Sequence, residues 1–526
     1  MNKIIIRPIH KFLSTAIFTV GVGLMVAPAM AEGVDPVIQN IVEKGDLKKS
    51  LEAQNNLMAL SSNASNPKAE AKIQEELEQA IVKALPTATP WVQQVLLRQL
   101  ALIGTDKCID GVKMCLKSED GHLRDEARKT LQHLGGDLAL TVLLKEMPKA
   151  KNEVEQQGYV QTLGTFQNAK VVPLLSESLN HKNPLIARAA ISALGHIHLP
   201  EALSILLKSK TTARDELKNE LDLAIINHKS ATLEDVKNLF LNSNGLAKVR
   251  ALQILCENGR VEASLINAIL AEKNPLIKPA LLKVCAQDSK ACELLLKEES
   301  KWSGMDIVPV FTGLSESHNK SKEDWVLKYV TSDKEMIQTA AIRALPPLAS
   351  SKSLLPLVSQ LSNKNAKVKE AASEALQALH GSDFAPLLIK SYSEGNLEQK
   401  NVVLRAISYC VIPQGSDLCI KMIESQEPFS SKIIALQTLC SIGGLEDLKK
   451  LLNWLNQSED DNEIKVFTSA AKKVHSRLKG DTELAVIFEQ SMNLAKSDSK
   501  KAIFTDIFVS KENSDNKDNK GKKEKK

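Results

Sequence analysis

Aromatic residues and enzyme motifs are scarce in this sequence. Phe, Trp and Tyr together make up 4% of the 526 residues, and a β-rich domain would carry more of them. No C-x-x-C pair, glycine-rich phosphate loop, G-x-S-x-G or His-Glu-x-x-His sequence occurs. The motifs of redox proteins, nucleotide-binding proteins, serine hydrolases and zinc proteases are therefore absent. We expect a protein that is not an enzyme and holds no cofactor.

The chain lacks a strong net charge once its two ends are set aside. The whole chain carries +5, and this excess comes from Lys3, Arg7 and Lys11 near the start and from the lysine-rich segment 510–526. The body between them is close to neutral. A nucleic-acid-binding protein normally shows a dominant basic surface, so the sequence disfavours nucleic acid as a partner.

Long apolar runs are restricted to the start of the chain. A basic stretch is followed by an apolar run from Phe12 to Val26 and by Ala29-Met30-Ala31, which is the arrangement of a signal peptide with its cleavage site. We predict that residues 1–31 are a signal peptide and that the protein is exported, to the periplasm or outside the cell. An uncleaved N-terminal anchor is the alternative. We expect no transmembrane segment in the mature chain.

A helical pattern rich in leucine and alanine repeats about every 31 residues between residues 86 and 495. In its clearest copy, NPLIARAAISALGHIHLPEALSILLKS from Asn183 to Ser209, apolar residues recur at i, i+3 and i+4 in two consecutive segments. The predicted core residues are Leu185, Ile186, Ala189, Ala190, Ala193 and Leu194 in the first segment, and Leu203, Leu206 and Leu207 in the second. This spacing predicts two amphipathic helices joined by a short turn. We predict a stack of about 13 such hairpins, with an irregular repeat near 299–322. Residues 32–85 should form an out-of-phase N-terminal helical cap, and 496–526 an extension ending in a disordered lysine-rich tail.

These segments, together with LRDEARKTLQHLGG from Leu123 and KEAASEALQALHG from Lys369, resemble HEAT repeats. They are most similar to the short bacterial type first noted in phycobilin lyases. The resemblance implies an all-α fold, a right-handed α-solenoid whose second helices line a concave groove. It is weak evidence for function, because this repeat serves many unrelated proteins.

Lysines recur on the solvent side of the second helices, close to one per repeat. Because the resemblance places second helices in the groove, a row of lysines there favours an acidic protein partner. The alternative is an ordinary solvated helix face. The members of this lysine row are Lys117, Lys145, Lys208, Lys237, Lys297, Lys328, Lys390, Lys421 and Lys450.

Eight cysteines in an exported protein indicate disulfides. Cys410 and Cys419 fall at core positions on either side of the turn of one hairpin, and Cys285 and Cys292 fall at nearly the same two positions of another. We predict a disulfide within each of these two pairs. Buried thiols are the alternative.

Three further patterns predict no functional site. Cys108 and Cys115 are seven residues apart, too far for a bond along one helix, so whether they pair stays open. His196 and His198 lie in a turn without a third ligand at metal-binding spacing, so we expect no metal there. Arginines on the first helices are expected to form a structural ladder of hydrogen bonds to neighbouring repeats; they are Arg98, Arg128, Arg188, Arg250 and Arg405.

The sequence thus predicts a non-catalytic scaffold that binds a protein partner along the concave face of a solenoid. One alternative is an accessory or lyase-like subunit that acts on a bound cofactor. Another is a structural protein of the cell envelope, whose basic tail makes a weak contact with anionic lipid or wall polymer.

Overall fold

The computed structural model describes residues 47–66, 71–379 and 384–509. Every regular element in these residues is a helix, and no β-strand occurs among them. The predicted signal peptide and the lysine-rich tail lie outside the described residues. The chain forms two compact units, of which unit 1 extends to Val261 and unit 2 begins at Glu262.

The described part of unit 1 contains thirteen α-helices. They are α1 (Leu47–Ala64), α2 (Ala71–Ala84), α3 (Pro90–Ile103), α4 (Ile109–Cys115), α5 (Gly121–Leu134), α6 (Gly136–Glu146), α7 (Glu153–Leu163), α8 (Val172–Ser178), α9 (Pro184–His196), α10 (Pro200–Ser209), α11 (Lys218–Ile226), α12 (Leu233–Asn242) and α13 (Gly245–Glu257).

The described part of unit 2 contains sixteen more. They are α14 (Ala263–Leu270), α15 (Ile277–Gln287), α16 (Ser289–Lys297), α17 (Ile307–Ser317), α18 (Glu323–Leu327), α19 (Glu335–Ala344), α20 (Ser351–Gln360), α21 (Ala366–Ala378), α22 (Ala385–Glu394), α23 (Leu397–Cys410), α24 (Ser416–Glu424), α25 (Phe429–Ile442), α26 (Leu445–Gln457), α27 (Asp461–Arg477), α28 (Leu484–Leu494) and α29 (Asp498–Phe508).

Odd-numbered helices are the first helices of the repeats and even-numbered helices are the second helices. Within each unit, each first helix packs on the next first helix in the chain, and nearly all of them also pack on a second helix beside them. Each unit is therefore a stack of helical hairpins, and the fold is an all-α solenoid, as the 31-residue period predicts.

The hairpin of α9 and α10 shows how the sequence forms a repeat. The Asn183 side chain accepts a hydrogen bond from the backbone N–H of Leu185 and so caps α9, while Pro184 occupies the first helical position. Ile186, Ala190 and Leu194 are fully buried, as predicted. Two predicted core residues are wrong, because the side chains of Leu185 and Leu207 are exposed.

First helices approach one another more closely than second helices do within each unit. A Cβ atom on Gly164 would lie 2.5 Å from the Cβ of Ala193, so α7 and α9 are in contact where only glycine fits. Gly313 does the same in unit 2, since its Cβ would lie 2.4 Å from the carbonyl oxygen of Lys283. The assignment of the second helices to the groove stays a prediction from the resemblance.

Three segments that the sequence marks as irregular continue the stack. Helices α1 and α2 form a hairpin that packs on α3. Gly313 lies inside α17 rather than interrupting a helix, and the irregularity near 299–322 is the reduction of the following second helix, α18, to five residues. The extension after residue 495 begins with α29, which packs on α27 and buries Phe504 and Ile507.

Candidate protein-binding surface

The predicted lysine row lies on the second helices or directly after them, and eight of its nine members are exposed. Lys237 is half-buried. Lys390 forms a long ion pair of 4.0 Å with Glu394. Among the described residues the other seven form no ion pair, so their charges face solvent. They are Lys117, Lys145, Lys208, Lys297, Lys328, Lys421 and Lys450.

Four of the five arginines form the predicted ladder between repeats, whereas the exposed Arg405 makes no such contact within the described residues. Arg98 and Arg188 pair with Glu126 and Glu220 of the next first helix, at 3.4 and 3.1 Å. Arg128 donates to the Gly158 carbonyl oxygen at 2.9 Å. Arg250 donates to Asn227 at 3.3 Å. These contacts join adjacent repeats, which makes the arginines structural residues rather than binding residues.

A row of exposed apolar side chains lies at the start of the first helices, and the sequence analysis missed it. Its members occupy one equivalent repeat position, in or just before the first helical turn, and their exposed fractions range from 46% to 81%. We call it the first-turn row. It comprises Trp91, Val154, Leu185 and Leu246 in unit 1, and Leu276, Met305 and Met336 in unit 2.

The periodic pattern hid this row because an apolar residue at i and i+1 is consistent with a core face. Leu185 stands next to the buried Ile186 and was counted with it. The signal that identifies the row is the position of the helix start. The second residue of the helix is exposed in α3, α7, α9, α13 and α19. His122 and Glu216 occupy equivalent positions and interrupt the row in unit 1.

A groove accompanies the row in unit 2. It lies between α17 and α19, has a volume of about 500 Å³ and is lined by Met336, Ala340, Ala344 and Thr312 among others. Another cavity of about 660 Å³ lies between α20, α22 and the start of α23, and Lys390 of the lysine row lines it beside Leu355 and Leu387.

The two predicted disulfides are not formed in this structure. The Cys410 thiol donates to the Leu376 carbonyl oxygen of α21 at 3.4 Å, so it points toward the preceding repeat and away from Cys419. Cys285 and Cys292 share the core of one hairpin. A shared core is insufficient, because a disulfide requires Cβ atoms about 4 Å apart in one defined orientation.

Burial suppresses the reactivity of these thiols. It raises the pKa of Cys410 to about 12, of Cys292 to about 11 and of Cys115 to about 11. The pKa of Cys108 is raised to about 12, by burial first and by the nearby Glu78 charge second. Since the thiolate is the nucleophile, none of these four residues is suited to nucleophilic catalysis.

The histidine pair makes structural contacts. His196 Nδ1 lies 2.6 Å from the Ser192 carbonyl oxygen, and the buried His228 donates from Nε2 to the Ile197 carbonyl oxygen at 2.7 Å. His198 faces the His228 ring edge-on, and burial lowers the pKa of both side chains. No three His, Cys, Asp or Glu side chains within the described ranges converge on a point that could hold a metal ion.

Aromatic side chains fill the irregular repeat. Trp325 packs between Trp302, Phe311 and Tyr329, with ring centroids 5.2–6.0 Å apart. The Glu299 carboxylate accepts from Trp325 Nε1 at 2.9 Å and from the Tyr329 hydroxyl. These rings replace the packing that a full-length second helix supplies elsewhere, which is a structural role.

Polar side chains bridge two of the clefts between the starts of successive first helices. Between α7 and α9, the Asn183 amide donates to Glu153 at 2.8 Å. Between α19 and α21, the Asn365 amide donates to Glu335 at 2.7 Å, and Lys367 adds an ion pair to Glu335 at 2.8 Å. A cavity of about 420 Å³ remains beside this bridge.

The equivalent cleft between α11 and α13 lacks such a bridge and holds a larger cavity. Asp215 stands where the other two clefts have a glutamate, and its shorter side chain pairs with Lys218 at 2.6 Å rather than with Asn244. A cavity of about 720 Å³ remains there, within unit 1. We call it the α11–α13 cleft. Like the first-turn row, it depends on side-chain length and exposure that the repeat pattern does not encode.

A comparison with protein families matches residues 140–225 to HEAT repeats. A comparison with curated protein sequences gave no match. No helix in the described part of the chain is both long and apolar enough to cross a membrane.

Among solved structures, the chain is similar to Kap121p with 11% sequence identity and a TM-score of 0.41, over 89% of this chain and 56% of that one. A structure of Kap121p bound to the extreme C-terminus of the protein phosphatase Cdc14p gives 11% identity and a TM-score of 0.43, over 88% and 55% of the two chains. Human deoxyhypusine hydroxylase in complex with glycerol gives 18% identity and a TM-score of 0.23, over 52% and 96%. The chain spans little more than half of the length of the Kap121p structures.

Proposed function

We propose that this protein is an exported, non-catalytic scaffold that binds a protein partner through the first-turn row. The observation that carries the proposal is the recurrence of exposed apolar side chains at one position of successive repeats, including Leu276, Met305 and Met336 in three consecutive repeats of unit 2. Single exposed leucines are ordinary on a protein surface. A row at repeat spacing is different, because it forms a stripe that one partner segment can cover.

The spacing of the row suits one continuous partner. Packed helices lie about 8–10 Å apart, so neighbouring members of the row can contact successive side chains of one segment. Full burial of a leucine or methionine side chain contributes about 1.5–3 kcal/mol. Several such contacts at a preformed surface support stable binding, since the order of a solenoid is fixed before the partner arrives.

Charge defines a second property of the partner. The seven lysines without ion pairs in the described residues supply positive potential on the second helices. We therefore expect a partner that combines an apolar stripe with acidic groups. A partner outside the cytoplasm follows from the proposed export.

The test is capture of the partner by the tagged full-length chain after crosslinking in native cells. We expect Leu185→Asp combined with Leu246→Asp to abolish capture of a recurrent stoichiometric protein. Aspartate in the first turn of a helix is favourable, so both variants should fold. Leu138→Asp is the matched control, because Leu138 is also an exposed leucine but lies outside the row.

Three outcomes are decisive. Loss with the double variant and retention with the control support the row as the interface. Equal capture by all three proteins excludes it. A retained metal or small molecule in place of a protein would favour the accessory-subunit function instead. Reversal of Lys117, Lys145 and Lys208 to glutamate tests the lysine row separately, and unchanged affinity would remove it from the interface.

A further inference from the structure

The α11–α13 cleft contains a buried polar atom that lacks a hydrogen-bond partner. Ser243 is 3% exposed, yet its Oγ forms no hydrogen bond within the described residues. Asp222 is 5% exposed and is paired with Lys210, whose ammonium group lies 3.0 Å from Asp222 Oδ1. Ser243 lines the cavity. Buried polar atoms are normally satisfied, so the Ser243 hydroxyl indicates a missing partner.

The first turn of α13 also contains backbone N–H groups without a side-chain cap. In α9 and α21 the cap residues Asn183 and Asn365 accept hydrogen bonds from the first turn, both at 2.9 Å. The equivalent Asn244 makes no such bond. Ala247 donates to Asn219 at 3.3 Å, which leaves the earlier N–H groups of the turn available to an acceptor.

These features together specify the chemistry of a ligand. The Ser243 hydroxyl oxygen can accept a hydrogen bond, while the first turn of α13 requires an acceptor. The lysines of the cleft are already neutralised, Lys218 by Asp215 and Lys210 by Asp222. An ionic ligand would therefore disrupt existing pairs. A neutral group that carries both a donor and an acceptor fits, and the peptide unit is such a group.

We propose that the α11–α13 cleft binds the main chain of an extended segment of the partner. A carbonyl oxygen of the segment accepts from the first turn of α13, and an N–H of the segment donates to Ser243 Oγ. The inference rests on the proposed function, because Leu246 of the first-turn row lies at the rim of the cleft. A segment that covers Leu185 and Leu246 crosses the position of Glu216, where the row is polar and the cleft opens.

The test uses the full-length protein with ¹³C-labelled leucine methyl groups and the neutral probe N-acetyl-Leu-Gly-Leu-amide. We expect saturable shifts of the Leu246 methyl resonances and none of Leu138. A matched probe with an ester in place of the amide that follows the first leucine lacks one N–H donor, and should bind about tenfold more weakly. Asp215→Glu should abolish binding, since the longer side chain reaches Asn244 and bridges the cleft.

Several results would overturn this inference. They are the absence of shifts up to roughly 10 mM peptide, equal binding of the ester, and binding of glucose or inorganic phosphate in preference to the peptide. Failure here is distinguishable from failure of the proposed function. Loss of partner capture in the row variants without peptide binding would leave the scaffold intact and remove only the main-chain site. Peptide binding without any effect of the row variants on capture would retain the cleft and remove the row.

Discussion

The α11–α13 cleft of unit 1 and the α19–α21 cleft of unit 2 occupy the same place in the repeat, and each contains a cavity. They differ in their acidic residue and at the position of the first-turn row, where Leu246 stands in place of Lys367. Glu335 reaches Asn365 and Lys367 across its cleft, whereas Asp215 pairs with Lys218. One position of the repeat can thus hold either a bridged or an unbridged cleft.

The largest effect is expected where a buried ion pair joins two repeats. Arg124 and Glu155 link α5 to α7 at 3.1 Å and are only 7% and 15% exposed, and Arg124 also donates to the Ser118 carbonyl oxygen. Arg124→Ala should lower the free energy of unfolding by about 3–5 kcal/mol, because the half-buried Glu155 loses its charge partner and keeps only the hydrogen bond from the Lys151 backbone N–H. Urea denaturation measures this. Arg98→Ala, at a more exposed pair, is the control and should cost less than about 1 kcal/mol; similar losses for both would contradict the prediction.

Two buried serines differ in whether their hydroxyl group has a hydrogen-bond partner. Ser353 donates to Glu323 at 2.5 Å, whereas Ser243 has no partner in the described residues. Ser353→Ala should destabilise the protein by about 1–3 kcal/mol, while Ser243→Ala should be neutral or stabilising by up to about 1 kcal/mol. The midpoints of urea denaturation give the comparison. Destabilisation of the Ser243 variant beyond that of the Ser353 variant would show that Ser243 has a structural role.

Exchanging Asp215 and Glu335 should remove the bridge from the α19–α21 cleft and create one in the α11–α13 cleft. Glu335→Asp should lower the free energy of unfolding by about 0.5–1.5 kcal/mol through loss of the hydrogen bond to Asn365, and Asp215→Glu should raise it by a similar amount. Both variants keep the charge, so the change measures reach alone. Denaturation curves of the two single variants and of the double exchange test this. Changes of the same sign in both single variants would refute the account.

The smallest effect is a difference in pH dependence. Hydrogen bonds from Lys367 and then Asn365 hold the pKa of Glu335 below its usual value. A lowered pKa in the folded state means that the stabilisation is complete above the pKa of the unfolded chain, about 4.3, and is lost as the pH falls through the folded value. The difference in stability between the wild-type protein and Glu335→Gln should therefore shrink from pH 6 to pH 3. A difference that is constant over this range would assign the effect to packing.

The periodic pattern of the sequence predicts the helical hairpins and the contacts between repeats. It does not predict features that depend on the length and orientation of single side chains. The 31-residue pattern was sufficient for the hairpins, and the position of Arg128 was sufficient for its contact with the next repeat. The sequence could not show that the predicted disulfides do not form. Two core positions of one hairpin do not define the orientation of Cys410, whose thiol faces α21. Leu185 was assigned to the core because its exposure depends on where α9 begins. The unbridged cleft required knowledge of which residue faces Asn244.

The buried thiols have a practical consequence for experiments on folding. A thiol whose pKa is raised by burial reacts slowly with alkylating reagents until the surrounding helices open. Cys108 and Cys115 report on α4 and its neighbours, Cys292 reports on α16, and Cys410 and Cys419 report on the hairpin of α23 and α24. Mass spectrometry of an alkylation time course therefore measures the opening of each segment separately, in the native sequence and without introduced labels. The native cysteines thus serve as internal probes of local unfolding.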